Sequence, residues 1–275
     1  MNLVQAVVLG LLQGFTEFLP VSSSGHLVLA ESLLGVNLPG VLFEVTLHVA
    51  TVGAVLWVYR RRVVRLAVGL VTGDRRSLAY LLLLAIGSVP AAAAGLLGRG
   101  FFERAFDEPV LVAILLVATG CLVFSVKWSG PLAEAAYPGA AVSLGVGVAQ
   151  AAAILPGLSR SGATVAIGAW LGVELRSIAE FSFLLSVPAI GGAALLQVWT
   201  PEVVASGLVS GAQAGTLGTA ALGAGFAAAL LSGVLAIRIF LRMLSAHTFH
   251  RFAYYCWGVG LVYLVAAAFL PELRG

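Results

Sequence analysis

Pro20-Val21-Ser22-Ser23-Ser24-Gly25 interrupts an otherwise apolar stretch running from residue 2 to residue 36. Pro156-Gly157-Leu158-Ser159-Arg160-Ser161-Gly162 interrupts a second, from 138 to 173. Proline breaks the helical hydrogen-bond ladder, and serine hydroxyls bond the backbone groups that a break exposes. The half after each break holds only about a dozen residues, short of the ~20 that cross a hydrocarbon core. Each stretch reads as a re-entrant helix–loop–helix hairpin, a form allowed at membrane depth only where protein or a polar cavity surrounds it.

The rest of the chain fits that solvent. Of its 275 residues 60% are hydrophobic and 10% charged, against roughly 25% charged in soluble domains. A surface in water cannot be built from this composition. Long Leu-, Ala-, Val- and Gly-rich runs without alternation favour helices over a barrel. Six of them read as crossings: 41–60, 77–98, 109–126, 180–198, 214–238 and 253–270. The expected fold is all-α and integral to the membrane, with six transmembrane helices and two re-entrant helical hairpins. The net charge of +3 sits in short segments between apolar runs, which is topogenic charge and not a nucleic-acid footprint. Cys121 and Cys256 fall inside apolar runs and read as buried packing residues. No Lys or Arg precedes the first apolar stretch, so a cleaved signal peptide is not expected.

Charge orients the crossings. Arg60, Arg61, Arg62, Arg65, Arg75 and Arg76 mark the first long connection as cytoplasmic. Alternation then puts Lys127, Arg176, Arg238, Arg242 and Arg251 inside as well, with Arg99, Arg104 and Arg274 outside and both termini external. Arg160 is left at membrane depth. The halves also match: a shift of 137 residues pairs Gly10 with Gly147, Gln13 with Gln150, Ser22 with Ser159, Ser24 with Ser161 and Gly25 with Gly162. Val28, Leu34, Gly35 and Val36 meet Val165, Leu171, Gly172 and Val173 in the same register. A duplication is the expectation, with repeats at 1–137 and 138–275, each a hairpin (2–36, 138–173) plus three crossings. An odd number of crossings inverts the second copy, so the hairpins enter from opposite faces and meet near the midplane, where such repeats bind their ligands.

Ionisable groups at that depth need a reason. Gln13 and Glu17 share a helix face, and His26 follows the first break. Arg160 stands between Ser159 and Ser161, with Thr164 on the next turn. Half-helices beginning near Ser24 and Ser161 would aim backbone N–H groups at a phosphate, and Arg160 would add a planar fork. Glu17 suits a divalent cation, Mg2+ or Ca2+. His26 suits proton transfer, and a serine suits attack on phosphorus. Plainer roles stand beside these: a structural Glu17–Arg160 pair, serines as helix caps, and His26 as a packing residue. Helix-to-helix bonding or cavity lining is the expectation for His48 and Glu180, and Glu44 is a candidate for indirect support of the site. These residues define a buried anion site without separating hydrolysis from transport.

The run Gln13-Gly14-Phe15-Thr16-Glu17-Phe18-Leu19-Pro20-Val21-Ser22-Ser23-Ser24-Gly25-His26 resembles the first signature of the bacterial undecaprenyl-diphosphate phosphatases, also called bacitracin-resistance proteins. Leu155-Pro156-Gly157-Leu158-Ser159-Arg160-Ser161-Gly162-Ala163-Thr164 is similar to the second, and Phe43-Glu44-Val45 and Glu180-Phe181-Ser182-Phe183-Leu184-Leu185 resemble further family segments. The resemblance implies a hydrolase of the bacterial plasma membrane that takes the terminal phosphate from undecaprenyl diphosphate. It would thereby recycle the lipid carrier of peptidoglycan synthesis from a site opening on the external side. It implies catalytic roles for Glu17, Ser23, His26 and Arg160. Ser159, Arg160 and Thr164 also fall on family active-site positions, as substrate contacts; the breaks themselves add Ser22, Ser24 and Ser161 as candidate substrate contacts, and Glu17 and Gln13 as candidate metal ligands. The family's acidic motif takes Glu or Gln at its first position, and Gln13 leaves this motif one carboxylate. Expected partners are the polyprenyl diphosphate and membrane lipids, with a homodimer left open and no nucleic acid. The rival from another class is a polyprenyl-phosphate flippase or ion-coupled transporter.

Overall fold

The computed structural model describes residues 1–27, 42–106, 108–129, 137–198, 218–246 and 248–269. Its elements are helices: α1 (Leu3–Phe18), α2 (Leu42–Val58), α3 (Arg60–Thr72), α4 (Arg75–Leu97), α5 (Arg99–Phe106), α6 (Pro109–Ser125), α7 (Ala140–Ala152), α8 (Arg160–Trp170), α9 (Leu175–Val198), α10 (Thr219–Ser245) and α11 (Phe252–Phe269). Five are long and apolar enough to cross a membrane: α4, α6, α9, α10 and α11. The pair α2 and α3 makes a sixth if counted as one span, although it is bent by 82°. Leu82, Leu231 and Val262 leave 61%, 68% and 70% of their surface uncovered on these helices. Lipid is the medium in which such exposure is stable. The protein is a multi-pass helical membrane protein.

Several boundaries differ from the sequence expectation. The 41–60 crossing ends at Val58, and α3 then departs at the bend. Its arginines cannot follow α2 into hydrocarbon. Instead α3 is amphipathic, leaving Val64, Val68 and Val71 exposed along one side. The 180–198 crossing begins at Leu175, and the 214–238 crossing begins at Thr219 and continues to Ser245, which draws Arg238 and Arg242 into helix. Cys121 is exposed, not buried, whereas Cys256 is buried as expected. Val28, Leu34, Gly35, Val36, Arg274 and the segment 199–217 lie outside the described residues, as does the rest of the first hairpin beyond residue 27.

Both breaks have local causes. A capping box between Asn2 and Gln5 starts α1. It stops because Leu19 precedes Pro20 and is pushed into extended backbone, at φ −69° and ψ 146°. Ser22 then takes a positive φ of 67°, and residues 23–27 begin a new helical stretch. In the second break Gly157 has φ 91°, and a Cβ there would collide with the Val112 carbonyl oxygen. Only glycine fits both conditions. The second half-helix, α8, is short, and its N-cap Ser159 accepts a hydrogen bond from the Gly162 N–H.

The half-helices before the breaks pack without side chains between backbones. A Cβ on Gly10 of α1 would strike the Gly225 carbonyl oxygen of α10, and one on Gly147 of α7 would strike the Gly87 carbonyl oxygen of α4. Small residues give bilayer helices this close approach, since lipid supplies no hydrophobic drive between them. At the end of α1, Phe18 packs edge-on against Phe183 at 5.5 Å between ring centroids, and Phe183 meets Phe240 at 5.2 Å. This aromatic column fixes the turn of α1 that carries Glu17.

Candidate active site

Glu17 is where the two breaks meet. Its Oε1 accepts a hydrogen bond from Arg160 Nη2 at 2.6 Å, across 143 residues of chain. Its Oε2 accepts from the Ser23 hydroxyl at 2.7 Å and from Gln13 Nε2 at 3.1 Å. The first half-helix, the first break and the second half-helix therefore converge on one carboxylate. Two polar atoms in this group are buried without a partner among the described residues, Arg160 Nη1 and Gln13 Oε1. Leaving such atoms unpaired costs about 1–3 kcal/mol each, more where charged. A ligand that supplies an acceptor to Nη1 and a donor or cation to Oε1 would recover that cost.

The remaining hydroxyls hold the breaks together. Ser22 Oγ accepts from the Gly157 N–H at 3.1 Å, linking one break directly to the other. Ser161 Oγ donates to the Leu19 carbonyl at 3.2 Å. Thr119 of α6 accepts from the Ser159 N–H and donates to the Gly157 carbonyl, both at 2.9 Å. Thr164 is fully buried, donates to the Arg160 carbonyl and lies 2.6 Å from the Ser182 hydroxyl. The backbone N–H groups of Gly157, Ser159 and Gly162 are bonded to hydroxyls, so these three are not free to meet a ligand. Ser22, Ser159, Ser161 and Thr164 are buried, whereas Ser23, Ser24 and Arg160 keep partial exposure. Those last three are the side chains a ligand can reach.

His26 stands apart from Ser23. Its Nδ1 is 2.8 Å from the Ser22 carbonyl oxygen and its Nε2 is 2.7 Å from the Tyr255 hydroxyl. Both ring nitrogens are engaged, and the Ser23 proton points to Glu17 instead. The other candidates sit elsewhere. Glu180 pairs with Arg62 at 3.1 Å, and the Arg62 guanidinium lies 4.4 Å from the Tyr80 ring centroid. That is helix-to-helix bonding, as expected for Glu180. His48 turns Nδ1 to the Glu44 carbonyl at 2.8 Å within its own helix and lies within electrostatic reach of Glu17.

Thr119 and Tyr255 are not singled out by the sequence, and Ser182 only as part of a family-like segment, because no local pattern marks any of the three as a partner of the breaks. One signal could have found Thr119. The 137-residue register pairs it with Cys256, whose thiol donates to the Pro20 carbonyl at 3.3 Å. Pro20 in turn pairs with Gly157, the residue whose carbonyl Thr119 holds.

For a divalent cation the donors present are the Gln13 Oε1 atom, unpartnered and buried, and the Glu17 carboxylate beside it. They fit an oxygen-liganded ion only in part, since Arg160 shares that carboxylate. Phosphate oxygens would have to complete the shell.

The model of the family described as bacitracin resistance protein BacA matches residues 6–262. A relative from Rubrobacter xylanophilus, named undecaprenyl-diphosphatase, is 41% identical over 98% of this chain and 99% of its own length. Proteins of the same name from Desulforapulum autotrophicum and Methanobrevibacter smithii are 36% and 35% identical, over 97% and 95% of this chain and 99% and 96% of their own.

Proposed function

Because the chain belongs to the bacitracin resistance protein BacA family, we propose that it hydrolyses undecaprenyl diphosphate to undecaprenyl phosphate and inorganic phosphate at the meeting point of its two breaks. One observation carries this: Glu17 holds the proton of a reachable serine on one oxygen and the guanidinium of Arg160 on the other. A nucleophile, a proton acceptor and a phosphate-binding cation are thereby assembled within hydrogen-bond reach.

The lipid tail stays in the bilayer while the diphosphate enters. Arg160 turns its fork, through the unpartnered Nη1, to the terminal phosphate oxygens. Neutralising the charge on those oxygens contributes more to phosphoryl transfer than any covalent assistance from the protein. As Arg160 engages phosphate, the Glu17 carboxylate is freed to take the Ser23 proton. Ser23 Oγ bonds to phosphorus, the bridging P–O bond breaks and undecaprenyl phosphate departs. Water then cleaves the phosphoseryl group with Glu17 as proton carrier, releasing phosphate and restoring the serine. Ser24 lines the approach, while Ser22, Ser159, Ser161 and Thr164 keep the breaks in register. A bound Mg2+ or Ca2+, held by Gln13 and Glu17, would neutralise diphosphate charge.

The chain is an inverted repeat of 1–137 and 138–275 with two re-entrant hairpins. Support comes from bonds that recur in the 137-residue register. The Ser22–Ser24 and Ser159–Ser161 hydroxyl pairs lie at 3.4 and 3.2 Å. Thr119 to Gly157 is matched by Cys256 to Pro20. Gly10 and Gly147, which the register pairs, make similar close approaches to Gly225 and Gly87, whose positions are one residue out of that register. The membrane is the bacterial plasma membrane, the site opens externally, and bilayer lipids cover the apolar flanks. A homodimer would have to use part of that same surface. Thiol labelling tests the layout: Thr72→Cys is expected to react only from the cytoplasm and Gly100→Cys only from outside. Reaction of both from one side contradicts it.

Hydrolysis and transport separate in one assay. Purified protein in detergent, given undecaprenyl diphosphate and magnesium, is expected to release inorganic phosphate. A transporter needs two compartments and would release none.

A further inference from the structure

Tyr255 lies on the first turn of α11, and its hydroxyl is 2.7 Å from His26 Nε2. The two rings are inclined by only 12°, with centroids 5.6 Å apart. On the other side of the imidazole, Nδ1 is 2.8 Å from the Ser22 carbonyl oxygen. A carbonyl can only accept, so Nδ1 carries a proton. In the neutral ring Nε2 then holds a lone pair and takes the tyrosine O–H. The carbonyl therefore sets the tautomer, and the tyrosine, donating to Nε2, holds the imidazole in that orientation. Tyr255 also borders an apolar cavity of about 620 Å3 between α1, α10 and α11, with Leu12, Phe15, Leu19 and Met243 among its walls. Arg251 lines the same cavity, and the Cys256 thiol is turned to Pro20.

Ser22 is what this chain of bonds holds. Among the described residues it is the one non-glycine with positive φ. Such backbone persists only where its surroundings impose it. Its next neighbour is Ser23, whose hydroxyl must stay on Glu17. We propose that Tyr255 is a positioning residue for the hydrolysis: acting through His26, it clamps the Ser22 turn and keeps Ser23 Oγ against Glu17. Hence His26 serves by holding the turn, and no proton need pass between it and Ser23. This rests on the hydrolytic role given above to Ser23 and Glu17.

The repeat shows that the pair is not required by packing. In the 137-residue register His26 and Tyr255 correspond to Ala163 and Ala118. Yet the adjoining bonds, Cys256 to Pro20 and Thr119 to Gly157, occur in both halves. The frame closes around two alanines in one half. The polar pair belongs to the half that carries the carboxylate, since Glu17 itself corresponds to Ile154.

Three variants test it: Tyr255→Phe, His26→Ala and the double change, each purified and assayed on undecaprenyl diphosphate, with 15N spectra of the imidazoles. Tyr255→Phe is expected to lower kcat by about 10- to 100-fold, the usual loss at an outer imidazole partner, with KM within about twofold. The double variant is expected to be no slower than His26→Ala, because Tyr255 acts through that ring. The wild-type spectrum should show His26 as the Nδ1–H tautomer, and Tyr255→Phe should shift the Nε2 resonance as that nitrogen loses its donor. Tyr254→Phe, which leaves this contact alone, is the control. Unchanged kcat in Tyr255→Phe, losses that multiply in the double variant, or an Nε2–H tautomer in the wild type would each overturn the proposal. The last needs no variant to fold. A wild type that releases no phosphate would instead remove the hydrolytic reading, and the spectrum would still decide the clamp.

Discussion

Arg160→Ala is expected to lower phosphate release by about three to five orders of magnitude, the loss that follows removal of a charge-stabilising arginine in phosphoryl transfer. The size follows from the geometry. Nη2 of the guanidinium holds Glu17 at 2.6 Å, and Nη1 is buried without a partner among the described residues. A cation so placed is expensive inside a membrane, and a diphosphate gives it the acceptors it lacks. Arg160→Lys keeps the charge and loses the fork. It is expected to bind substrate with a KM within a few-fold of wild type while kcat falls. An unchanged kcat in the lysine variant would show that the arginine only attracts the substrate.

Glu17→Gln is expected to cost about two to four orders of magnitude in kcat, the range for a positioned proton acceptor. The amide is nearly isosteric, so the Ser23 and Gln13 contacts can be kept while the charge is lost. Turnover should also depend on a divalent cation, and chelator is expected to depress wild-type activity. Gln13→Glu restores a second carboxylate beside the first and should lower the magnesium concentration needed for half-maximal turnover. Full activity in Glu17→Gln, or in wild type with chelator, would contradict these roles.

Much of this is legible in the sequence, for physical reasons. Composition alone requires a lipid solvent, and Pro20 and Pro156 mark the breaks because proline leaves few conformations to its neighbours. The meeting of Glu17 with Arg160 is legible as chemistry, since each needs a partner at that depth, but not as a distance. Three things are hidden. The 82° bend after Val58 is masked because the arginines that cause it also read as topogenic charge. The cross-ties from Thr119 and Ser182 sit in runs whose hydrophobicity hides a single hydroxyl. The partner of His26 lies 229 residues away on α11, beyond any local pattern. For the same reason sequence reads His26 as a proton-transfer group, whereas in the fold the Ser23 hydroxyl donates to Glu17 and His26 bonds Tyr255.

The proposed mechanism depends on the Glu17–Arg160 contact being a working site and not merely a structural ion pair. Thermal stability and phosphate release of Arg160→Ala, Glu17→Ala and the double variant, measured on the same preparations, decide it most directly. Removing one partner of a buried pair costs about 3–5 kcal/mol when the pair holds the fold, and removing both recovers much of it. All three variants are expected to stay folded enough to purify. None is expected to release phosphate at more than about a thousandth of the wild-type rate, the double variant included. A folded double variant with its phosphate release restored would falsify the active-site role.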